Sequence, residues 1–101
     1  MDYIKGADAE ETSLQGYVNA TYDELVAAFG EPGPSDGYKS DAEWDGLLDG
    51  VVFTIYNWKN GKNYCGAEGA DVHYITHWHV GGRSAQAAWN VDQFLKERRE
   101  K

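Results

Sequence analysis

The dipeptide Asp49-Gly50 constrains the fold more than any other feature, because it separates two runs that each have the pattern of a β-strand. These runs are residues 42–48 and 51–58. Asp-Gly is a preferred two-residue connection in antiparallel hairpins, since its residues tolerate the positive φ angles of the turn. When side chains alternate along the second run, both of its faces are apolar or aromatic. The sequence therefore predicts a β-hairpin within a sheet that carries apolar or aromatic residues on both faces.

Helical patterns lie on both sides of this hairpin. Thr21 can cap a helix, and Glu24, three residues later, can complete a capping box. Pro32 prevents that helix from continuing. The predicted order is a strand at 14–18, the first helix, the hairpin, a strand at 72–80 and a closing helix at 84–98. We therefore expect an α+β fold in which two helices pack on an antiparallel sheet of three or four strands.

Length and composition allow one domain. A chain of 101 residues with 42% hydrophobic residues can bury a modest core, but it is too short for a second one. Residues 1–12 are polar and acidic with little periodicity, so we expect a flexible N-terminus followed by a single domain at 13–101. Cys65 is the only cysteine, which excludes an intrachain disulfide and fits a cytoplasmic protein. No run of residues is long and apolar enough to predict a membrane span.

The charge distribution limits the class of partner. Residues 1–50 hold twelve acidic and two basic residues, a balance of −10, whereas residues 51–101 hold five acidic and seven basic residues, a balance of +2. Direct nucleic-acid binding is not expected, because phosphate contacts need clustered Lys and Arg. An acidic surface can instead occupy the basic nucleic-acid site of another protein, or serve only to keep the chain soluble. The candidate partner-binding residues are Asp41, Glu43, Trp44 and Asp45, where a tryptophan lies among acidic side chains.

Three histidines in one short segment suggest a metal site. On a strand, His77 and His79 point to the same face, at a spacing that lets two imidazoles bind one metal ion. His73 would lie about 13 Å from His77 along a regular strand, which is too far to share that ion. A third ligand would have to come from a neighbouring strand, at Asp41, Glu43 or Asp45. No metal site is predicted, and a metal-dependent enzyme is the least favoured function.

The glycine pair Gly81-Gly82 suggests a ligand site. We expect it to join the last strand to the closing helix, where its backbone amides could converge on an anion at the positive end of the helix dipole. Basic residues and aromatic rings of the second half could then hold a nucleotide. A tight strand-to-helix turn without any ligand explains the same glycines. The candidate ligand-binding residues are Lys59, Lys62, Trp78, His79, Gly81, Gly82 and Arg83.

Four segments, at residues 21–25, 29–32, 54–59 and 76–82, resemble a family of small proteins from bacteriophages and prophages. Their sequences are TYDEL, FGEP, TIYNWK and THWHVGG. The resemblance covers residues 14–95. It implies either an accessory factor that binds and inhibits a host enzyme or defence complex, or a protein that sequesters a nucleotide immune signal.

The leading functional hypothesis is a phage-encoded, non-enzymatic binding protein that inhibits a host factor in the host cytoplasm, with an anti-defence (anti-CRISPR-like) role. The alternatives are a sponge for a nucleotide-derived signal and a metal-dependent enzyme. No cofactor and no membrane contact are expected, and the sequence leaves homo-oligomer formation open. A concave pocket lined by Trp78, His79 and Arg83 would favour the sponge, whereas a flat acidic and aromatic face would favour the inhibitor.

Overall fold

The computed structural model describes residues 1–7, 10–33, 42–57, 65–66, 69 and 71–99. These residues form β1 (Tyr3–Lys5), β2 (Ser13–Asn19), α1 (Tyr22–Phe29), β3 (Glu43–Leu48), β4 (Val51–Tyr56), β5 (His77–Gly82) and α2 (Gln86–Arg99). A short 3₁₀ helix, Val72–Tyr74, precedes β5. All neighbouring strands pair antiparallel, in the order β1-β3-β4-β5-β2. The predicted α+β class is confirmed, although the sheet has five strands rather than three or four.

The predicted β-hairpin is formed by β3 and β4. Asp49 and Gly50 make the turn, with φ angles of 51° and 79°, and Leu48 pairs with Val51 on either side of it. Positive φ at both turn residues is what the Asp-Gly dipeptide predicts. Strand β4 lies between β3 and β5, with Phe53 and Ile55 fully buried on one of its faces and Val52 only 6% exposed on the other.

A short N-terminal strand lies where the sequence predicts a flexible segment. Residues 1–12 lack periodicity, yet Tyr3–Lys5 pair with β3. The Tyr3 ring packs edge-on against Phe29 at a centroid distance of 5.3 Å, and its hydroxyl donates a 2.8 Å hydrogen bond to the Phe29 carbonyl oxygen. Three residues are too few to give a periodic signal. The strand is held by this aromatic anchor and by its pairing, neither of which is visible in the local sequence.

Both helices begin near their predicted positions. The Glu24 backbone N–H donates to Thr21 Oγ1 at 3.1 Å, and the Thr21 N–H donates to the Glu24 carboxylate at 2.9 Å, so the capping box is confirmed. Helix α1 ends at Phe29, and Gly30 has a φ of 86°, a value that favours glycine. Helix α2 starts two residues later than predicted. No helix within the described ranges is long and apolar enough to cross a membrane.

Helices α1 and α2 pack on one face of the sheet, the inner face, and form the core with it. The indole N–H of Trp78 donates to the Ala20 carbonyl oxygen at 3.0 Å, and that of Trp44 donates to the Gly30 carbonyl oxygen at 2.8 Å. Each buried indole therefore keeps a hydrogen bond when it leaves water. The other large buried side chains of the core are Val18, Leu25, Phe29, Leu48, Phe53, Ile55, Ile75, Val80, Val91, Phe94 and Leu95. The centre of the inner face is thus occupied by the core.

Candidate functional site

The opposite face of the sheet, the outer face, has neither α1 nor α2 packed against it. Its side chains alternate along each strand with those of the core. They belong to Ile4, Leu14, Tyr17, Asn19, Glu43, Asp45, Leu47, Val52, Thr54, Tyr56, His77 and His79. Three large side chains of this face are well exposed, with exposed fractions of 59% for Ile4, 46% for Leu14 and 53% for Tyr17. Ile4 lies on β1 and the other two lie on β2, so the exposed apolar surface of this face lies on its two edge strands.

Four residues form a row across the outer face, because the strand register places them side by side. Glu43 on β3 pairs with Tyr56 on β4. Tyr56 pairs with His79 on β5, and His79 pairs in turn with Tyr17 on β2. The His79 ring stacks on Tyr56 at a centroid distance of 5.4 Å and meets Tyr17 edge-on at 5.1 Å. These four residues, the aromatic row, make one continuous cluster across four strands.

Burial sets the charge of the aromatic row. It lowers the pKa of the His79 imidazole below its ordinary value, with a further contribution from His77. Burial also raises the pKa of the Tyr56 hydroxyl, with further contributions from Glu43 and Tyr17. Both shifts favour the uncharged form of each side chain. At neutral pH the row therefore presents uncharged rings beside the Glu43 carboxylate.

Packing alone does not account for a histidine at position 79. The His79 Nδ1 atom is buried and has no hydrogen-bond partner among the described residues. A buried polar atom without a partner costs about 1–3 kcal/mol. An aromatic ring without this nitrogen would fill the same place at a lower cost, so the imidazole is not explained by stability.

Among the described strand residues that point to the outer face, some are acidic and none is Lys or Arg. Glu43 and Asp45 point to this face, and Asp45 is exposed. Basic side chains lie on the helical side, where the Lys5 ammonium approaches Gly30. Helix α2 carries three more near its C-terminal end, Lys96, Arg98 and Arg99. The outer face is therefore acidic and aromatic, with exposed apolar side chains on its edge strands, whereas Val52 on the central strand β4 is only 6% exposed.

Trp78, His79 and Arg83 do not line a common pocket. Trp78 and His79 are neighbours on β5, so they point to opposite faces of the sheet. Trp78 has no exposed surface, and the prediction that it stacks on a ligand is wrong. Arg83 follows β5 and is exposed, and its guanidinium N–H groups donate to the Glu10 carbonyl oxygen at 3.3 and 3.4 Å.

The glycine pair Gly81-Gly82 does not form an anion-binding turn. Both residues lie within β5, which has β4 on one side and β2 on the other, so their backbone amides are directed to neighbouring strands. A Cβ on Gly81 would lie 2.5 Å from Thr54 Oγ1, and one on Gly82 would overlap the Ala87 side chain of α2. The predicted nest is wrong because β5 extends two residues beyond Val80, and close packing explains both glycines.

The candidate partner-binding residues are divided between the two faces. Glu43 and Asp45 point outward, as a partner contact requires. Trp44 lies between them and is only 2% exposed, because alternation along β3 turns it into the core. The prediction that Trp44 contacts a partner is therefore wrong. Three other candidates lie outside the described residues, namely Asp41, Lys59 and Lys62.

The three histidines do not share one strand. His73 lies on the 3₁₀ helix, not on the strand predicted for that segment, and its Nδ1 atom lies 3.0 Å from the Asp71 carboxylate. His77 and His79 both point to the outer face, with ring centroids 6.1 Å apart. The His77 Nδ1 atom lies 3.4 Å from Asn19 Oδ1. Within the described ranges no group of three potential metal ligands is found.

Sequence reasoning found Glu43 and His79 as candidate site residues but missed the other two residues of the aromatic row. Tyr17 lies in a weakly alternating run, and Tyr56 lies in a strand that is apolar or aromatic on both faces. Alternation could have assigned each residue to a face of its own strand. It could not have placed Tyr17 beside His79, because that contact depends on the pairing of β2 with β5, which are far apart in the sequence.

Comparison of the chain with protein-family models, with curated proteins and with solved structures gives no match. The functional inference therefore depends on the geometry and charge of the outer face.

Proposed function

We propose that this chain is a non-enzymatic binding protein that inhibits a bacterial host protein, and that it docks through its outer face onto a basic surface of that protein. The main support is one sheet face without α1 or α2 that combines exposed apolar side chains on its edge strands with acidic residues and, among its described strand residues, has no Lys or Arg. The resemblance to bacteriophage and prophage proteins adds the setting, a phage-encoded factor that acts in the host cytoplasm against a defence complex.

The apolar side chains of the outer face would supply much of the binding energy. Ile4, Leu14 and Tyr17 keep about half of their surface in water, and a partner can remove that surface from solvent. Fully burying a side chain of this size contributes about 1.5–3 kcal/mol, and these half-exposed residues would contribute part of that. Tyrosine suits such a contact because its large ring has few rotatable bonds to immobilise.

The acidic residues determine the kind of partner. Asp45 and Glu43 would face positive charge across the interface, which favours a surface of clustered Lys and Arg. Proteins that bind nucleic acids present such surfaces. A chain that covers this surface excludes the nucleic acid, so inhibition would require no catalytic step.

A nucleotide sponge receives less support. Small ligands bind in concave sites that supply rings for stacking and donors for phosphate. Trp78 is buried in the core, and the amides of Gly81 and Gly82 are directed to neighbouring strands. Metal-dependent catalysis also has little support, because His77 and His79 have no third ligand among the described residues.

The proposal is tested by capturing host proteins from a bacterial lysate on the immobilised protein, with one variant on the outer face and one on the helical side. Immobilised wild-type protein is compared with Tyr17→Arg on the outer face and with Trp89→Arg on helix α2. The two positions hold aromatic residues with similar exposed fractions, 53% and 56%, so both variants should fold. We expect the wild type and Trp89→Arg to retain the same host protein, and Tyr17→Arg to lose it. Added nucleic acid should displace the retained protein.

Three results would contradict the proposal. A wild-type protein that retains no host protein would exclude the proposed inhibitor role. Retention that Tyr17→Arg does not reduce would exclude docking through the outer face. Retention that excess nucleic acid does not reduce would exclude a basic nucleic-acid site as the surface that is bound.

A further inference from the structure

A groove between α1 and α2 lies on the helical side of the molecule, away from the outer face. Its volume is about 240 Å³. It is lined by Glu24, Ala27, Ala28, Leu95, Arg98 and Arg99. The proposed docking surface uses none of these residues.

The floor of the groove is apolar. Ala27 and Ala28 belong to α1 and Leu95 belongs to α2, and the two methyl side chains leave space that larger residues would fill. A closed apolar cavity of about 150 Å³ holds a benzene ring, so the groove has room for a ring or a short alkyl chain. Water on such a floor gains few hydrogen bonds, which favours an apolar occupant.

The rim of the groove is positively charged on balance. The Arg99 guanidinium donates to the Glu24 carboxylate at 2.7 Å and to the Asn19 carbonyl oxygen at 2.7 Å, so the charges of Arg99 and Glu24 compensate each other. The Arg98 guanidinium lies over the Phe94 ring, 4.1 Å from its centroid. Arg98 forms no salt bridge with the described residues. Its charge therefore remains for an anionic group.

We propose that this groove binds a small apolar carboxylate, with its hydrocarbon part on Ala27, Ala28 and Leu95 and its carboxylate against Arg98. The planar guanidinium fork matches a carboxylate, because two parallel N–H groups can donate to its two oxygens. The Phe94 ring beneath the guanidinium restricts its movement, so less conformational freedom is lost when the ligand binds.

Methyl NMR tests this site directly, since its floor carries alanine and leucine methyl groups. Protein labelled at these methyls is titrated with sodium octanoate and, separately, with 1-octanol, which has the same chain length but no negative charge. We expect octanoate to shift the methyl resonances of Ala27, Ala28 and Leu95 in a saturable manner. Octanol should bind several-fold more weakly, because it cannot form the ion pair with Arg98.

Two charge-removing variants on α2 separate the site from the general charge of the helix end. Arg98→Gln should weaken octanoate binding about tenfold, because a charge-assisted hydrogen bond is lost. Lys96→Gln is the matched control, since Lys96 pairs with Asp92 at 2.9 Å and does not line the groove. Its octanoate affinity should equal that of the wild type.

Three results would overturn the carboxylate site. They are floor methyls that do not shift, equal affinities for octanoate and octanol, and equal effects of Arg98→Gln and Lys96→Gln. Because the groove and the outer face share no residue, Tyr17→Arg should leave this titration unchanged.

Discussion

His79 lies between two aromatic rings on the outer face, and the burial of its unpaired ring nitrogen destabilises the fold. Its Nδ1 atom is buried and has no partner among the described residues. Burial and the neighbouring His77 both disfavour the protonated imidazole. Because His79 lies between Tyr17 and Tyr56, its protonation would place a positive charge in the middle of the surface that we propose binds a basic partner.

Acidification should destabilise the fold through His79. Burial lowers the pKa of His79 in the folded protein below its ordinary value of 6.5, so as pH falls the unfolded chain takes up a proton before the folded protein does. The contribution of neutral His79 to the free energy of unfolding is therefore fully present above about pH 6.5 and falls as pH drops below it. Urea unfolding at about pH 7.5 and about pH 5.5 measures this effect. The wild type should lose more stability than His79→Gln over this interval, and equal losses would contradict the role given to His79.

Gly82 tests how closely α2 approaches the sheet. A Cβ at this position would overlap the Ala87 side chain, so Gly82→Ala should lower the free energy of unfolding by about 1–3 kcal/mol, as overpacking does. Gly33→Ala is the control, because its Cβ would meet only the Glu43 carbonyl oxygen at 3.9 Å. Urea unfolding of both variants makes the comparison. A Gly82→Ala protein as stable as Gly33→Ala would contradict the close contact.

Residues of β5 show which features of the site can be predicted from the sequence and which cannot. Alternation correctly places His77 and His79 on one face and implies that Trp78 lies on the other. It does not reveal which face the helices cover. That information comes from α2, whose Ala87 lies against Gly82 on the same side as Trp78. Without it, the sequence predicts one ligand site that contains both Trp78 of the core and His79 of the outer face.

At the scale of single elements, the contribution of the capping box of α1 to stability can be tested by one substitution. Thr21→Ala removes the hydroxyl that accepts the Glu24 N–H, and should lower the free energy of unfolding by about 1 kcal/mol. Thr76→Ala changes an exposed threonine outside any helix or strand and should have little effect. Urea unfolding monitored by circular dichroism compares the two. Equal stabilities of these variants would show that the cap does not stabilise α1.

Elements whose signals are local could be predicted from the sequence. The β3–β4 hairpin and the start of α1 depend on neighbouring residues, and both are confirmed. Strand β1 depends on distant contacts of Tyr3 and carries no local pattern. The strand predicted to begin at residue 72 is wrong at its start for another reason. The Asp71 carboxylate accepts the His73 N–H at 3.0 Å and starts a 3₁₀ helix in place of a strand.

At the scale of the whole molecule, charge is distributed unevenly between the two sides of the sheet. The described strand residues of the outer face include Glu43 and Asp45 but no Lys or Arg, whereas the C-terminal end of α2 carries Lys96, Arg98 and Arg99. The chain has a formal net charge of −8. Such a distribution favours approach of a basic partner to the outer face and makes that approach sensitive to salt.

The central claim is that the outer face, not the helical side, meets a host protein. Site-specific photocrosslinking in bacterial cells tests it most directly, with p-benzoylphenylalanine placed at Tyr17 in one variant and at Trp89 in the other. Both positions are exposed and aromatic, so the crosslinker is equally accessible in each. We expect ultraviolet light to join the protein covalently to a host protein from position 17 and not from position 89. An adduct from position 89 alone, or no adduct from position 17, would contradict the claim.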